Sequence, residues 1–216
     1  MPNPECYVLP PTKHVPNSPL PLLIYRDVLP KPITMESCQD MVENNGWTRQ
    51  AKIWGAYYLR HFHPSNHECY AVLSGSSRTI YGVGESDETE GRYPGDETST
   101  AAGLQLTLSA GDVIIHPAGV AHANVTEEGD FKYMAFNPSV RSRQLSAKAM
   151  IISADEDCGK EKTTWRTELG RKEMNLEEMM AETLAVPIPS DPVTGVNGHL
   201  KRLWSSAFND YVAHEK

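Results

Sequence analysis

The chain has 216 residues, 22% of them charged, and a formal net charge of −8, which leaves room for one domain with a sizeable core. An acidic balance with no run of Lys and Arg argues against a nucleic-acid or anionic-membrane partner, since either needs a positive patch. No stretch approaches the roughly 20 apolar residues of a membrane helix, and the proline-broken N-terminus does not read as a signal peptide.

In chain order, residues 1–21 carry seven prolines and read as an extended arm lying on the surface or on a neighbouring subunit. The apolar run at 19–26 suits an edge strand, where proline is tolerated. Thr34 looks like the N-cap of a short helix across 35–45 that Gly46 stops. From Ile53 the pattern turns to β. Segments 53–62, 68–74 and 77–83 are rich in β-branched and aromatic residues between turn-prone ones. Residues 84–103 hold six acids against one Arg and read as a solvated loop. Strands resume at 104–108, 112–116, 120–126 and 131–137, a spacing that indicates a barrel or sandwich. The section 139–185 is peripheral and partly helical, with Asn175 and Glu178 as a capping box for a helix at 176–185. The tail, 186–216, is expected to pack back on the barrel, giving one domain over 1–216 with its core at 53–137. Cys6, Cys38, Cys69 and Cys158 form no CxxC pair, and a chain of this length needs no disulfides, so a reduced, cytoplasmic protein is expected.

Two stretches carry chemistry. In GAYYLRHFHPSNHECYAVLSG (55–75), His61 and His63 share one face of a strand by period two while Phe62 and Arg60 take the other. Pro64-Ser65-Asn66 turns the chain, so that Glu68 can return beside them. In GDVIIHPAGVAH (111–122), a buried strand and a tight Pro117-Ala118-Gly119 turn lead to His122. Three imidazoles and one carboxylate form an N/O donor set for one divalent ion per chain, Fe, Mn, Ni, Cu or Zn, with one or two positions left open.

These stretches resemble the two motifs of the cupin superfamily. The first, Gly, five residues, His-x-His, three or four residues, Glu, six residues, Gly, is met by Gly55, His61, His63, Glu68 and Gly75. The second, Gly, five residues, Pro-x-Gly, two residues, His, three residues, Asn, is met by Gly111, Pro117, Gly119 and His122, with Thr126 in place of Asn. The arm and the DPVTGVNG tail are similar to a subgroup of small single-domain cupins without an assigned reaction. The resemblance implies an all-β, cupin-type jelly-roll β-barrel (a double-stranded β-helix) with a few peripheral helices, a metal on His61, His63, Glu68 and His122, and frequent homodimers.

Other residues have plainer readings. His67 should face away from Glu68 in a structural or supporting role. His116, restricted to extended geometry by Pro117, is either packed or in contact with substrate. Tyr57 and Leu59 should share the face of His61, and Tyr70 that of Glu68. Tyr57 and Tyr70 are core residues or donors of a hydrogen bond or proton to substrate. The methionines of 174–180 read as a packing stripe.

A three-His, one-Glu site supports a metal-dependent enzyme on a small organic molecule, with dioxygenase-type oxidation ahead of non-oxidative isomerase, lyase or cyclase chemistry. A cupin that binds a small molecule or metal without catalysis is the rival. A metal-free carbohydrate epimerase would not need four intact ligands.

Overall fold

The computed structural model describes residues 2–87, 103–139 and 166–214. Its elements are β1 (Glu5–Leu9), β2 (Ser18–Tyr25), α1 (Met35–Glu43), β3 (Trp47–Trp54), β4 (Glu68–Tyr81), β5 (Leu104–Ser109), β6 (Val113–His116), β7 (His122–Pro138), α2 (Leu176–Leu184) and α3 (His199–His214). Most of the acidic stretch at 84–103, and residues 140–165 of the peripheral segment, lie outside the described residues.

The strands join in one antiparallel sheet in the order β1-β2-β6-β4-β7-β3, with β5 also on β4. β7 follows one edge of β4 for nearly its whole length. On the other edge, β6 pairs with Glu68–Ala71 and β5 with Ser76–Tyr81. Strand alternation then sorts the side chains between two faces. Cys69, Ala71, Val113, Ile115, Met134 and Phe136 face outward, where they pack with Cys38 and Val42 of α1 and Leu200 and Trp204 of α3. Leu22, Ile24, Val72, Ile114, Tyr133 and Ala135 face inward. Glu68 and His116, two residues from Tyr70 and Ile114, fall on that inner face and are register partners.

Several sequence expectations are corrected here. The run at 19–26 forms β2, which is internal: β1 covers one side and β6 the other. Two-sided pairing is confined to its C-terminal half, since β6 pairs only with Leu23–Tyr25. Pro19 and Pro21 precede that stretch, so no ladder bond to β6 is forfeited. The arm is not simply surface chain. Part of it is β1, and Val15 and Asn17 are fully buried, with the Asn17 amide donating to Pro10 O (2.6 Å) and Gly82 O (2.9 Å).

The strand expected at 53–62 instead spans Trp47–Trp54. Beyond it Asn124 takes over the pairing, its Oδ1 accepting from Tyr57 N–H (2.7 Å) and its own N–H donating to Tyr57 O (2.8 Å). Segments 68–74 and 77–83 merge into β4, and 120–126 and 131–137 into β7. The turn-prone residues between them mark irregular register rather than chain reversal. Gly75 has φ +64°, and a Cβ there would lie 2.4 Å from Glu128 O. Only glycine allows that close crossing.

Thr34 caps α1: it accepts from Ser37 N–H (3.1 Å) while the Ser37 hydroxyl accepts from Thr34 N–H (3.2 Å). The helix ends at Glu43, two residues short of the expected 45, and Gly46 follows at φ +85°. Asn175 caps α2 by accepting from Glu178 N–H (3.3 Å).

Helix α3 was not anticipated. It buries Leu200 and Trp204, and the Trp204 indole donates to Pro21 O (2.9 Å). Buried Asp191 anchors its start, accepting from the N–H groups of Val193 (2.9 Å), Thr194 (3.0 Å) and Leu200 (3.0 Å) and from the Tyr25 hydroxyl. No helix among the described residues is long and apolar enough to cross a membrane.

Candidate metal centre

His61 and His63 do not sit on a regular strand. A single bridge holds His61 against His122, with His61 N–H to His122 O at 3.3 Å and the reverse bond at 2.9 Å. Phe62 is bridged likewise to Glu168, so the two histidines still share a side. His122 begins β7 after the tight turn, where Gly119 N–H donates to His63 O (2.9 Å) and ties the two stretches together.

Each of the three imidazoles is oriented by a backbone carbonyl. His61 Nδ1 lies 2.9 Å from Leu59 O, His63 Nδ1 3.1 Å from Arg166 O, and His122 Nδ1 3.1 Å from Val120 O. A carbonyl only accepts, so each Nδ1 carries the proton and each Nε2 presents a lone pair. Glu68 begins β4. Its Oε1 accepts from the Gln50 amide (2.8 Å). Its Oε2 is buried with no hydrogen-bond partner, 3.4 Å from His122 Nε2 and 3.6 Å from His63 Nε2.

Acceptor therefore faces acceptor in a buried space. The electrostatics agree. Burial, with His122 and His63 beside it, pushes the His61 imidazole down to about 3, and burial likewise lowers His63. Burial alone would raise the Glu68 carboxyl, but His63 and His122 outweigh it and hold the group below the usual carboxylate range. Neutral imidazoles next to a carboxylate are the protonation states that a metal ion requires. Ligand atoms of His61, His63 and His122 lie within 4.8 Å of one another, as do those of Glu68, His116 and His122. The cluster could hold a metal ion. The orphaned Glu68 oxygen and the convergent lone pairs fit a divalent cation with N/O ligands.

A narrow cavity meets the cluster at His61 and His122, with Tyr57, Tyr70, Phe131 and Tyr133 in its wall. Tyr57 packs edge-on to His61 at 4.8 Å. The Tyr70 hydroxyl donates to His122 Nε2 (3.0 Å), because the other nitrogen of that ring is already a donor. Burial raises the Tyr70 phenol well above its ordinary value, and Glu68 adds to the effect. Leu59 is not among the wall residues; it contributes a carbonyl instead.

His116 is buried and stacks on His122 at 4.3 Å, 20° from parallel. His67 is turned to the outer face against the Trp204 ring (4.6 Å), and its Nδ1 accepts from Ala118 N–H (2.9 Å). Gln50 went unnoticed in the sequence. It lies on β3, outside both motifs, and only the barrel's closure brings it to Glu68.

The family model for Cupin matches residues 50–160. No curated protein matches the chain. Among solved structures it is similar to RmlC from Streptococcus suis in complex with dTDP-D-xylose, at 16% identity over 68% of this chain and 74% of that one, with a TM-score of 0.32. It is also similar to Cellulomonas parahominis L-ribose isomerase with L-psicose (15%, 55% and 61%, TM-score 0.27). A third is an uncharacterized conserved protein with a double-stranded β-helix domain from Klebsiella pneumoniae (15%, 65% and 76%, TM-score 0.24). The family match covers more than half of the sequence and contains both motifs, and the antiparallel sheet has the architecture they imply: the chain belongs to the cupin family.

Proposed function

We propose that this cupin is a metal-dependent enzyme acting on a small organic molecule, with one divalent ion held by His61, His63, Glu68 and His122 and with dioxygenation as its reaction. The observation that carries the reading is the orientation of the three imidazoles. Backbone carbonyls hold every Nδ1–H, so the Nε2 lone pairs converge with an unpartnered Glu68 oxygen. The Tyr70 hydroxyl satisfies one of these acceptors, His122 Nε2; the others face one another without a donor and repel unless a cation joins them.

When bound, a divalent ion with these ligands would supply Lewis acidity and, as iron or manganese, redox chemistry at open coordination positions. The chain's own groups do the rest. Gln50 holds Glu68 by one oxygen and leaves the other inward. Phe131, Tyr133 and Val72 line the cavity. Tyr70, kept protonated by burial, is a hydrogen-bond donor to a substrate oxygen, and Tyr57 flanks the same space beside His61. His116 stacks behind His122.

Tyr70 also favours a second reading. A protonated phenol beside the ligands suits a non-oxidative isomerase, lyase or cyclase step, in which it would hand a proton to substrate. Oxygen uptake that depends on added substrate supports the dioxygenase. Equal turnover under strict anaerobiosis would replace it with the non-oxidative reaction. A small molecule bound without turnover in either condition would indicate a binding cupin. A cytoplasmic homodimer belongs to the same proposal, and light scattering of the purified chain tests the dimer.

A further inference from the structure

His116 stands apart from the other buried histidines. His61, His63 and His122 each have Nδ1 on a carbonyl, and His67 Nδ1 takes the Ala118 N–H. Both ring nitrogens of His116 are buried without a partner. A neutral imidazole has one donor and one acceptor, so an uncommitted ring in a dry interior needs something to bind.

Its surroundings indicate what. His116 is the register partner of Glu68 on β6, and its ring lies flat against His122. The orphaned Oε2 of Glu68 is the other uncommitted ligand atom of the cluster. Ligand atoms of Glu68, His116 and His122 lie within 4.8 Å of one another. Two histidines and one carboxylate make a donor set for divalent iron, manganese, cobalt or zinc. No backbone partner fixes the His116 tautomer, so either nitrogen is free to turn to a cation.

We infer that His116 is a fifth protein donor, and that the centre offers a single ion two overlapping positions: the one on His61, His63, Glu68 and His122 proposed above, and one on Glu68, His116 and His122. His122 belongs to both, and its Nδ1 is committed to Val120 O. Its one remaining lone pair, on Nε2, where the Tyr70 hydroxyl donates in the absence of an ion, can serve a single cation, so the two positions are filled alternately and never together. This rests on the metal-binding reading above. It adds a residue outside the four motif ligands.

The test is Co(II) titration of the full-length apoprotein, followed by visible absorption and calorimetry. Wild-type protein, His61→Ala/His63→Ala and His61→Ala/His63→Ala/His116→Ala are compared, with circular dichroism to verify folding. The double variant is expected to bind one equivalent of Co(II) more weakly than wild type, and adding His116→Ala should weaken it a further tenfold or more. If the double and triple variants bind alike, or if neither binds while wild type does, His116 is not a donor. Wild-type protein that takes up no ion would instead defeat the metal-binding reading itself. Should the double variant fail to fold, His63→Gln with and without His116→Gln makes the same comparison under the same criteria.

Discussion

The two faces of the central strand differ in how their unsatisfied polar groups are distributed. On the outer face of β4, Cys69 and Ala71 sit in an apolar layer closed by α1 and α3. Asp191 there is fully buried, yet three backbone N–H groups and the Tyr25 hydroxyl bond to it; His67 Nε2 is an isolated orphan on that side. On the inner face, Glu68 Oε2, both nitrogens of His116 and the Tyr81 hydroxyl are buried and unpartnered. Buried polar groups are normally satisfied, because each orphan costs free energy. The outer face thus holds the fold, while the inner face keeps open bonding capacity for an ion and a substrate.

Substitutions on the two faces should therefore separate stability from binding. Trp204→Ala should have the largest effect. It opens a hole under α3 and removes the indole bond to Pro21 O, so urea unfolding should show a loss of about 3–5 kcal/mol, with metal stoichiometry retained in the folded fraction. His122→Ala should do the reverse. Metal affinity should fall at least about 100-fold, which is roughly 2.7 kcal/mol, while the apoprotein's unfolding midpoint stays nearly unchanged. Comparable losses of stability from both would erase the distinction between the faces.

Gly75→Ala tests the crossing of β4 and β7. A side chain at φ +64°, with its Cβ 2.4 Å from Glu128 O, should cost about 1–3 kcal/mol in the same unfolding assay and leave the ligands in place. The finest test is Gln50→Ala. It frees the orienting bond to Glu68 Oε1 and should weaken metal binding by roughly tenfold without a measurable change in unfolding.

How much of this was legible in the sequence follows from what each feature depends on. The His-x-His and Pro-x-Gly spacings are local, so the candidate ligands could be named from them. That His61 and His63 would share a side was also readable, though a bridge and a loop achieve it rather than a regular strand. Gln50, His116 and the carbonyls of Leu59, Val120 and Arg166 reach the site only through pairing between distant segments. His116 was a candidate for contact with substrate from its place before Pro117, but nothing in the sequence around Gln50 or Arg166 marks either residue. β1 and α3 were missed for a related reason. Val-Leu-Pro-Pro looks like an arm until β2 accepts it as a partner, and the mixed sequence of 199–214 becomes a helix because Leu200 and Trp204 find the outer face of the sheet.

The most direct measurement is the metal content of untagged protein, purified without added metal and then reconstituted, by mass spectrometry of the dissolved ion. Close to one divalent ion per chain, lost in His122→Ala, is the expected result, with iron or manganese favouring oxygen chemistry and zinc or nickel the non-oxidative reaction. A wild-type chain that carries no metal and takes none up on reconstitution would contradict the metal centre and leave a cupin barrel whose inner face binds something else.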